Sequence, residues 1–177
     1  IFDGGGVYLN KTSVLLTPNK VAEATTLTGN VAGLNGGAIY YNYSNQDAKI
    51  EVVESYVKAI SPVIRNLKLD DNEAKNGGGL YLASNSAKTM TLQLNTLTSN
   101  KTSKPTGSTT GIEGCGGTIC VVAGTVELNG FEIDGGAGTN ATNGGAVYVG
   151  TSANVTLKNM VISGNKATNG GGIYNAG

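Results

Sequence analysis

Five acidic residues are placed where they could do chemistry. Asp70, Asp71 and Glu73 fall in one turn, and Glu132 and Asp134 alternate, so that both leave the same face of an extended strand. Paired carboxylates of this kind perform acid/base work on glycosidic bonds. Their surroundings do not support that chemistry. There is no histidine, and the only arginine is Arg65. Asp70-Asp71-Asn72 reads as a solvated polar corner. No catalytic residue is assigned, and the chain reads as a non-enzyme. The glycine-rich acidic turn from Asp134 to Asn140 lacks the ligand spacing of a calcium loop, so no metal site is assigned. Gly4-Gly5-Gly6 lacks the Gly-Lys-Ser/Thr ending of a phosphate loop. No cofactor is expected.

Composition excludes further classes. The 177 residues carry 12 Lys+Arg and 12 Asp+Glu, for a net charge of zero. A neutral chain with one arginine releases few phosphate counterions, which argues against nucleic acid as a partner. No apolar run approaches the roughly 20 residues a membrane-spanning helix needs, so this segment is not expected to insert in a membrane. The first residues have no basic region followed by an apolar one, as a signal peptide would. Glycine contributes 28 residues, spread too evenly for a helical protein.

The elements that position these residues come from a repeat. A glycine-anchored block recurs six times, as in Asn35-Gly36-Gly37-Ala38-Ile39-Tyr40 and Asn143-Gly144-Gly145-Ala146-Val147-Tyr148. Its marker residues are Tyr8, Tyr40, Tyr81, Cys120, Tyr148 and Tyr174, spaced by 32, 41, 39, 28 and 26. Between anchors lies a second block, seen in Leu27-Thr28-Gly29-Asn30, Leu69-Asp70-Asp71-Asn72, Leu97-Thr98-Ser99-Asn100 and Ile162-Ser163-Gly164-Asn165. In the fourth repeat Gly136 stands in place of the asparagine. Aliphatic residues at Ile64, Leu92, Leu128 and Leu157 precede these blocks at a fixed interval.

Each repeat therefore reads as three short strands of two to five residues with period-2 alternation. Strands so short bury an apolar face only by stacking on their neighbours. The expected fold is all-β, a right-handed parallel β-helix (solenoid) of about five three-strand coils, in one domain over residues 1–177. At about 4.8 Å per coil it is roughly 24 Å long. Val7/Leu9, Ile39/Tyr41, Leu80/Leu82, Ile119/Val121 and Val147/Val149 should face inward. Ala38, Gly79, Thr118 and Ala146 should point out, as should the marker tyrosines. Asn30, Asn72, Asn100 and Asn165 suit left-handed corners, where their side chains can stack from coil to coil.

Two insertions, 44–61 and 101–114, interrupt the repeat. The first places Ile50, Val53, Val57 and Ile60 at helical spacing, although its β-branched residues favour a strand; a short helix is the preferred reading. The second has almost no apolar residue and reads as an exposed loop.

The alternation of glycine anchors with Leu/Ile-x-x-Asn blocks resembles the passenger region of polymorphic outer-membrane autotransporters and related adhesin-like surface proteins. The family's second motif usually begins with Phe, where this chain has Leu or Ile. The resemblance implies a secreted or surface-displayed stalk or adhesin, with an extracellular location, of which this chain is a part. Its partner would be a protein or glycan on a host or neighbouring cell.

In an exported protein, Cys115 and Cys120 are expected to pair once the Gly116-Gly117 turn bends the chain back. Tyr8, Tyr40, Tyr81, Tyr148 and Tyr174 form a candidate partner-binding stripe, whose alternative role is to cover the sheet and stabilise coil pairing. The sequons at Asn10, Asn42, Asn100, Asn140 and Asn154 are about as many as chance gives. The chain starts just before one anchor and stops just after another. Three readings therefore remain: a segment of a longer adhesin, a subunit that self-associates end to end into a fibre, and a β-helical polysaccharide-acting enzyme fragment.

Overall fold

In a computed structural model the described residues are 3–10, 14–15, 25–43, 50–51, 63–65, 67–85, 89–93, 96–98, 100–102, 114–135 and 141–177. They form strands and turns with no helix, and the strands pair in parallel.

The pairing follows the repeat. In one wall Val7–Asn10 pairs with Ile39–Tyr43, which pairs with Leu80–Ser84; next come Ile119–Asn129, Val147–Lys158 and Ile173–Asn175. The marker residues stand in register as Tyr8, Tyr40, Tyr81, Cys120, Tyr148 and Tyr174. A second wall runs from Val14–Leu15 through Ile50–Glu51, Val63–Arg65 and Met90–Gln93. It continues into Ile119–Asn129 and Val147–Lys158, where Leu92, Leu128 and Leu157 are successive partners. A separate five-stranded sheet aligns Leu27, Leu69, Leu97, Ile133 and Ile162. Two short ladders, Glu73–Ala74 with Lys101–Thr102 and Ala141–Asn143 with Ala167–Asn169, lie near the corners.

The apolar side of these sheets forms one core. Leu9, Ile39, Tyr41, Leu69, Leu80, Leu82, Met90 and Phe131 are buried in it, with Ile119, Leu128, Ile133 and Val147. Leu27, Leu157 and Ile162 pack against its edge.

Three expectations need correction. Two strands are much longer than five residues: Ile119–Asn129 has 11 and Val147–Lys158 has 12. Each runs through both of the first two walls, which therefore count as a single ten-stranded sheet. The bend falls where the register shifts between Val121 and Ala123, close to Gly124 at φ +99°. The helix expected over 44–61 is contradicted at Ile50–Glu51, which are a strand paired with Val14–Leu15. There the β-branched preference for extended backbone prevails over the helical spacing. Residues 44–49 and 52–61 lie outside the described residues. Of the second insertion, Lys101–Thr102 is a strand and 103–113 lie outside the described residues.

The third correction concerns Ala38, Gly79, Thr118 and Ala146, which are buried, with Ala38, Thr118 and Ala146 at 0% exposure. Strict alternation fails here because the residue sits on a corner and not within a strand. The N–H groups of Ala38 and Ile39 both donate to the Gly79 carbonyl, and those of Gly79 and Leu80 both donate to the Thr118 carbonyl. Two successive residues thus share one acceptor.

Candidate functional site

The glycine corners set everything that surrounds them. The two glycines of the Asn35–Tyr40 anchor serve different ends. Gly36 has φ +64°, a left-handed conformation that costs a residue with a Cβ. A Cβ on Gly37 would run into the carbonyl oxygen of Gly78 in the next layer. One glycine turns the chain, and the other lets successive layers touch.

The corners at 30, 72 and 100 are held by asparagine. Asn72 Oδ1 accepts from the Asn30 N–H and from Asn30 Nδ2, both at 2.9 Å. Asn100 Oδ1 accepts from the Asn72 N–H at 3.2 Å and from Asn72 Nδ2 at 2.8 Å. The spare amide hydrogens go to backbone: Asn72 Nδ2 donates to the Leu27 carbonyl and Asn100 Nδ2 to the Leu69 carbonyl. Asn72 and Asn100 are fully buried, so each ladder satisfies backbone groups that water cannot reach. These asparagines are not themselves left-handed. The positive φ lies one residue earlier, at Gly29 (66°), Asp71 (50°) and Gly164 (64°). The turning residue sits at the surface, and the asparagine behind it points inward to hydrogen-bond.

A second ladder was not anticipated. Asn35 Nδ2 donates to Asp3 Oδ1, and Asn76 Nδ2 to Asn35 Oδ1, each at 2.8 Å. Asn169 Nδ2 donates to Asn143 Oδ1 at 2.9 Å. The signal was in the sequence as the Asp or Asn immediately before most of the glycine pairs.

Both ladders break in the layer that begins at Cys115. Cys115 takes the place of an asparagine, and its N–H donates to Asn76 Oδ1 at 3.4 Å. Gly136 takes the place of the other asparagine by sequence register and lies outside the described residues. Thr118 Oγ1 in this layer and Asn165 Oδ1 in the next are buried and lack a hydrogen-bond partner among the described residues.

The tyrosine row breaks in the same layer. Tyr8 and Tyr40 stack with ring centroids 5.0 Å apart and planes 5° from parallel. Tyr40 and Tyr81 stack at 5.3 Å and 10°, and Tyr148 and Tyr174 at 5.9 Å and 9°. Cys120 stands between the two stacks, joined to Cys115 with Cα atoms 5.6 Å apart. Gly116, at φ +59°, turns the chain back between them. The disulfide and Tyr148 are buried together, and Tyr81, Val122 and Tyr174 pack against them.

This row differs from the expected exposed stripe. Tyr8 is 50% exposed, whereas Tyr148 is only 6% exposed. Within each stack a ring covers one face of its neighbour. Burial also acts on the phenols. It raises Tyr40, with smaller contributions from the Asp3 carboxylate and Tyr8. It pushes Tyr81 up to about 12, assisted by Tyr40. Tyr148 is raised by burial and then by Tyr174.

The acidic residues do not converge on one point. Asp71 and Glu73 share Lys101, at 3.5 and 3.6 Å. Asp70 accepts from the Thr98 hydroxyl at 2.6 Å and lies 3.9 Å from Lys68. Glu127 pairs with Lys158 at 2.8 Å. Asp70 and Asp134 occupy one column of the five-stranded sheet with Thr98 between them, two strand spacings or about 9.6 Å apart. Glu132 and Asp134 are exposed. Among the described residues no group of three or more His, Cys, Asp or Glu side chains could hold a metal ion. Residues 136–140 of the candidate calcium turn lie outside the described residues. Of the sequons, Asn10 and Asn154 are exposed, Asn42 is half-buried, and Asn100 is enclosed in its ladder; Asn140 lies outside the described residues.

Residues 24–42 and 159–176 match the family model of the Chlamydia polymorphic membrane protein repeat. Each stretch contains one Leu/Ile-x-x-Asn block and the glycine anchor after it, so the match falls on the two motifs that build the corners. The match is a likeness to that repeat over well under half of the chain, and it supports coarsely a location outside the cell or at its surface. No curated protein and no solved structure matches the chain.

Proposed function

We propose that the parallel walls are those of a right-handed β-helix, and that the chain is a non-enzymatic adhesion module of a surface-displayed, autotransporter passenger-like protein. One observation carries this reading. The family repeat matches at two places more than a hundred residues apart, and strands between them keep the same register from layer to layer. A stack of repeated layers whose asparagine side chains bond from one layer to the next is a scaffold. Its carboxylates support the same reading, since Asp71, Glu73 and Glu127 are paired with lysines and do not face a common substrate position. The partner would be a protein or glycan on another cell.

The test is adherence of beads coated with the chain to cultured animal cells. Saturable binding that is lost after the cells are treated with protease or glycosidase supports adhesion, and the treatment that abolishes it gives the partner's class. No binding, together with cleavage of a polysaccharide panel, would replace the adhesin with an enzyme. No binding, together with fibres in negative stain, would replace it with a self-assembling subunit.

A further inference from the structure

Asparagine followed by glycine is a reactive pair, because no Cβ shields the glycine nitrogen. That nitrogen can attack the asparagine Cγ and expel ammonia, forming a succinimide that water opens. The reaction needs a glycine N–H free to lose its proton, a side chain free to swing towards it, and access for water. Asn-Gly pairs stand at 35–36, 76–77, 129–130, 143–144 and 169–170.

At Asn76 all three needs are blocked, and one residue does most of the blocking. The Gly77 N–H donates to the Cys115 carbonyl at 2.9 Å, so the nucleophile is turned towards the next layer. Asn76 Oδ1 accepts from the Cys115 N–H at 3.4 Å, while Asn76 Nδ2 donates to Asn35 Oδ1 at 2.8 Å, which fixes the side chain from both sides. Asn76 is 8% exposed and Gly77 is buried. Asn35–Gly36 is the natural comparison. Its Gly36 N–H donates to the Asn76 carbonyl at 2.9 Å, and Asn35 Oδ1 accepts from Asn76 Nδ2. The two pairs differ in what holds them. Cys115 is closed onto Cys120 by a disulfide across the Gly116 turn, whereas Asn76 is held by hydrogen bonds.

We propose that Asn76–Gly77 is a self-modification site that the Cys115–Cys120 disulfide keeps shut. The trigger is a small thiol. Two thiol molecules become one disulfide as Cys115 and Cys120 gain two electrons and two protons. The turn that carries Cys115 is then unclosed, and its layer opens more often. In an opening the Gly77 N–H loses its acceptor and gives its proton to hydroxide. The nitrogen bonds to Asn76 Cγ, and Nδ2 leaves as ammonia with a proton from water. Water adds at the Cγ carbonyl to leave aspartate, or at the main-chain carbonyl to leave isoaspartate. In total one water is consumed and one ammonia released. Neither product keeps the Nδ2 that donates to Asn35, and isoaspartate adds a carbon to the backbone at the corner. Re-forming the disulfide does not reverse either change, so a reversible reduction leaves a permanent mark.

The experiment incubates three samples of the whole chain in mildly alkaline buffer: the parent, the parent with tris(carboxyethyl)phosphine, and Cys115→Ser/Cys120→Ser. Peptide mass mapping follows the initial rates of conversion at Asn76 and Asn35, with far-ultraviolet dichroism to monitor folding and thiol titration to monitor reduction. In the folded parent both sites should react at least about tenfold more slowly than in urea. Reduction, or the serine variant, should raise the Asn76 rate at least about tenfold and the Asn35 rate less than about threefold. An unchanged Asn76 rate in the serine variant would overturn the proposal. Equal rises at Asn76 and Asn35 would also overturn it, because the whole chain would then be opening. A parent that keeps its disulfide in the phosphine would overturn reduction as the trigger.

Discussion

From Asn30 to Asn100 side-chain amides run from layer to layer beside the backbone bonds, whereas the layer from Cys115 to Gly135 is braced within itself by a disulfide. In the first region Asp3, Asn35 and Asn76 pass hydrogen bonds along one line and Asn30, Asn72 and Asn100 along another, and Tyr8, Tyr40 and Tyr81 stack. In the second, an asparagine and a tyrosine of the repeat have become Cys115 and Cys120, and their disulfide is buried with Tyr148. The marker residues keep the same register in both, although the second region carries a shift between Val121 and Ala123. The register therefore does not depend on which side chain fills the corner, provided the corner is filled and the buried backbone groups are satisfied.

Four measurements break or sharpen this comparison. The largest effect is expected from Asn72→Ala. That change leaves the Asn30 N–H and the Leu27 carbonyl without their partner and ends the line in its middle. It should cost about 3–5 kcal/mol, read from urea unfolding curves. Next, the Cys115→Ser/Cys120→Ser double variant removes a closure over a short loop and should cost about 2 kcal/mol. Cys115→Asn/Cys120→Tyr, which restores the residues of the repeat, should recover most of that loss. Failure to recover it would mean that this layer needs a covalent tie and that the two regions are not interchangeable.

The third measurement uses pH. The Tyr81 phenol has a folded pKa near 12 against an unfolded value of 10.0, so the unfolded chain loses its proton first. Its contribution is complete below pH 10 and is lost as the pH rises from 10 towards 12. A fall in stability on the order of 1–2 kcal/mol across that window is expected, allowing for the partial exposure of the ring. Tyr81→Phe should flatten that part of the profile. The smallest effect is a gain. Thr118→Ala removes a buried hydroxyl that lacks a partner among the described residues, at a corner where Ala38 and Ala146 already fit. It should stabilise the chain by about 1 kcal/mol, visible as a shift in the urea midpoint.

How much of this was legible in the sequence differs from one part of the chain to another. The pairing of Leu27, Leu69, Leu97, Ile133 and Ile162, and the column of marker residues, could be read from spacing because a strand stacked in parallel meets its equivalent one repeat later. The corners could not be read this way. Ala38 and Thr118 violate period-2 alternation because two adjacent N–H groups share a single carbonyl, and no propensity encodes that sharing. The left-handed residue lies before the asparagine and not on it, because the side chain must point inward to reach the next layer. The candidate tyrosine site was legible as a column but not as a surface. Its exposure falls from Tyr8 to Tyr148 according to what packs on it, and that includes a disulfide whose position in the row gives no hint of how deeply it lies.

The disulfide has a mechanical consequence. Both of its sulfurs belong to one corner of one layer, so it joins no layer to the next. Adjacent layers are coupled by backbone hydrogen bonds between parallel strands and by the amide ladders. A force that pulls two ends of the stack apart therefore loads those weak bonds one layer at a time. The covalent tie only shortens the length of chain that one yielding layer releases. Such a stack would extend under tension in steps, and reduction would lengthen the step at Cys115–Cys120 without lowering the force at which the other layers yield.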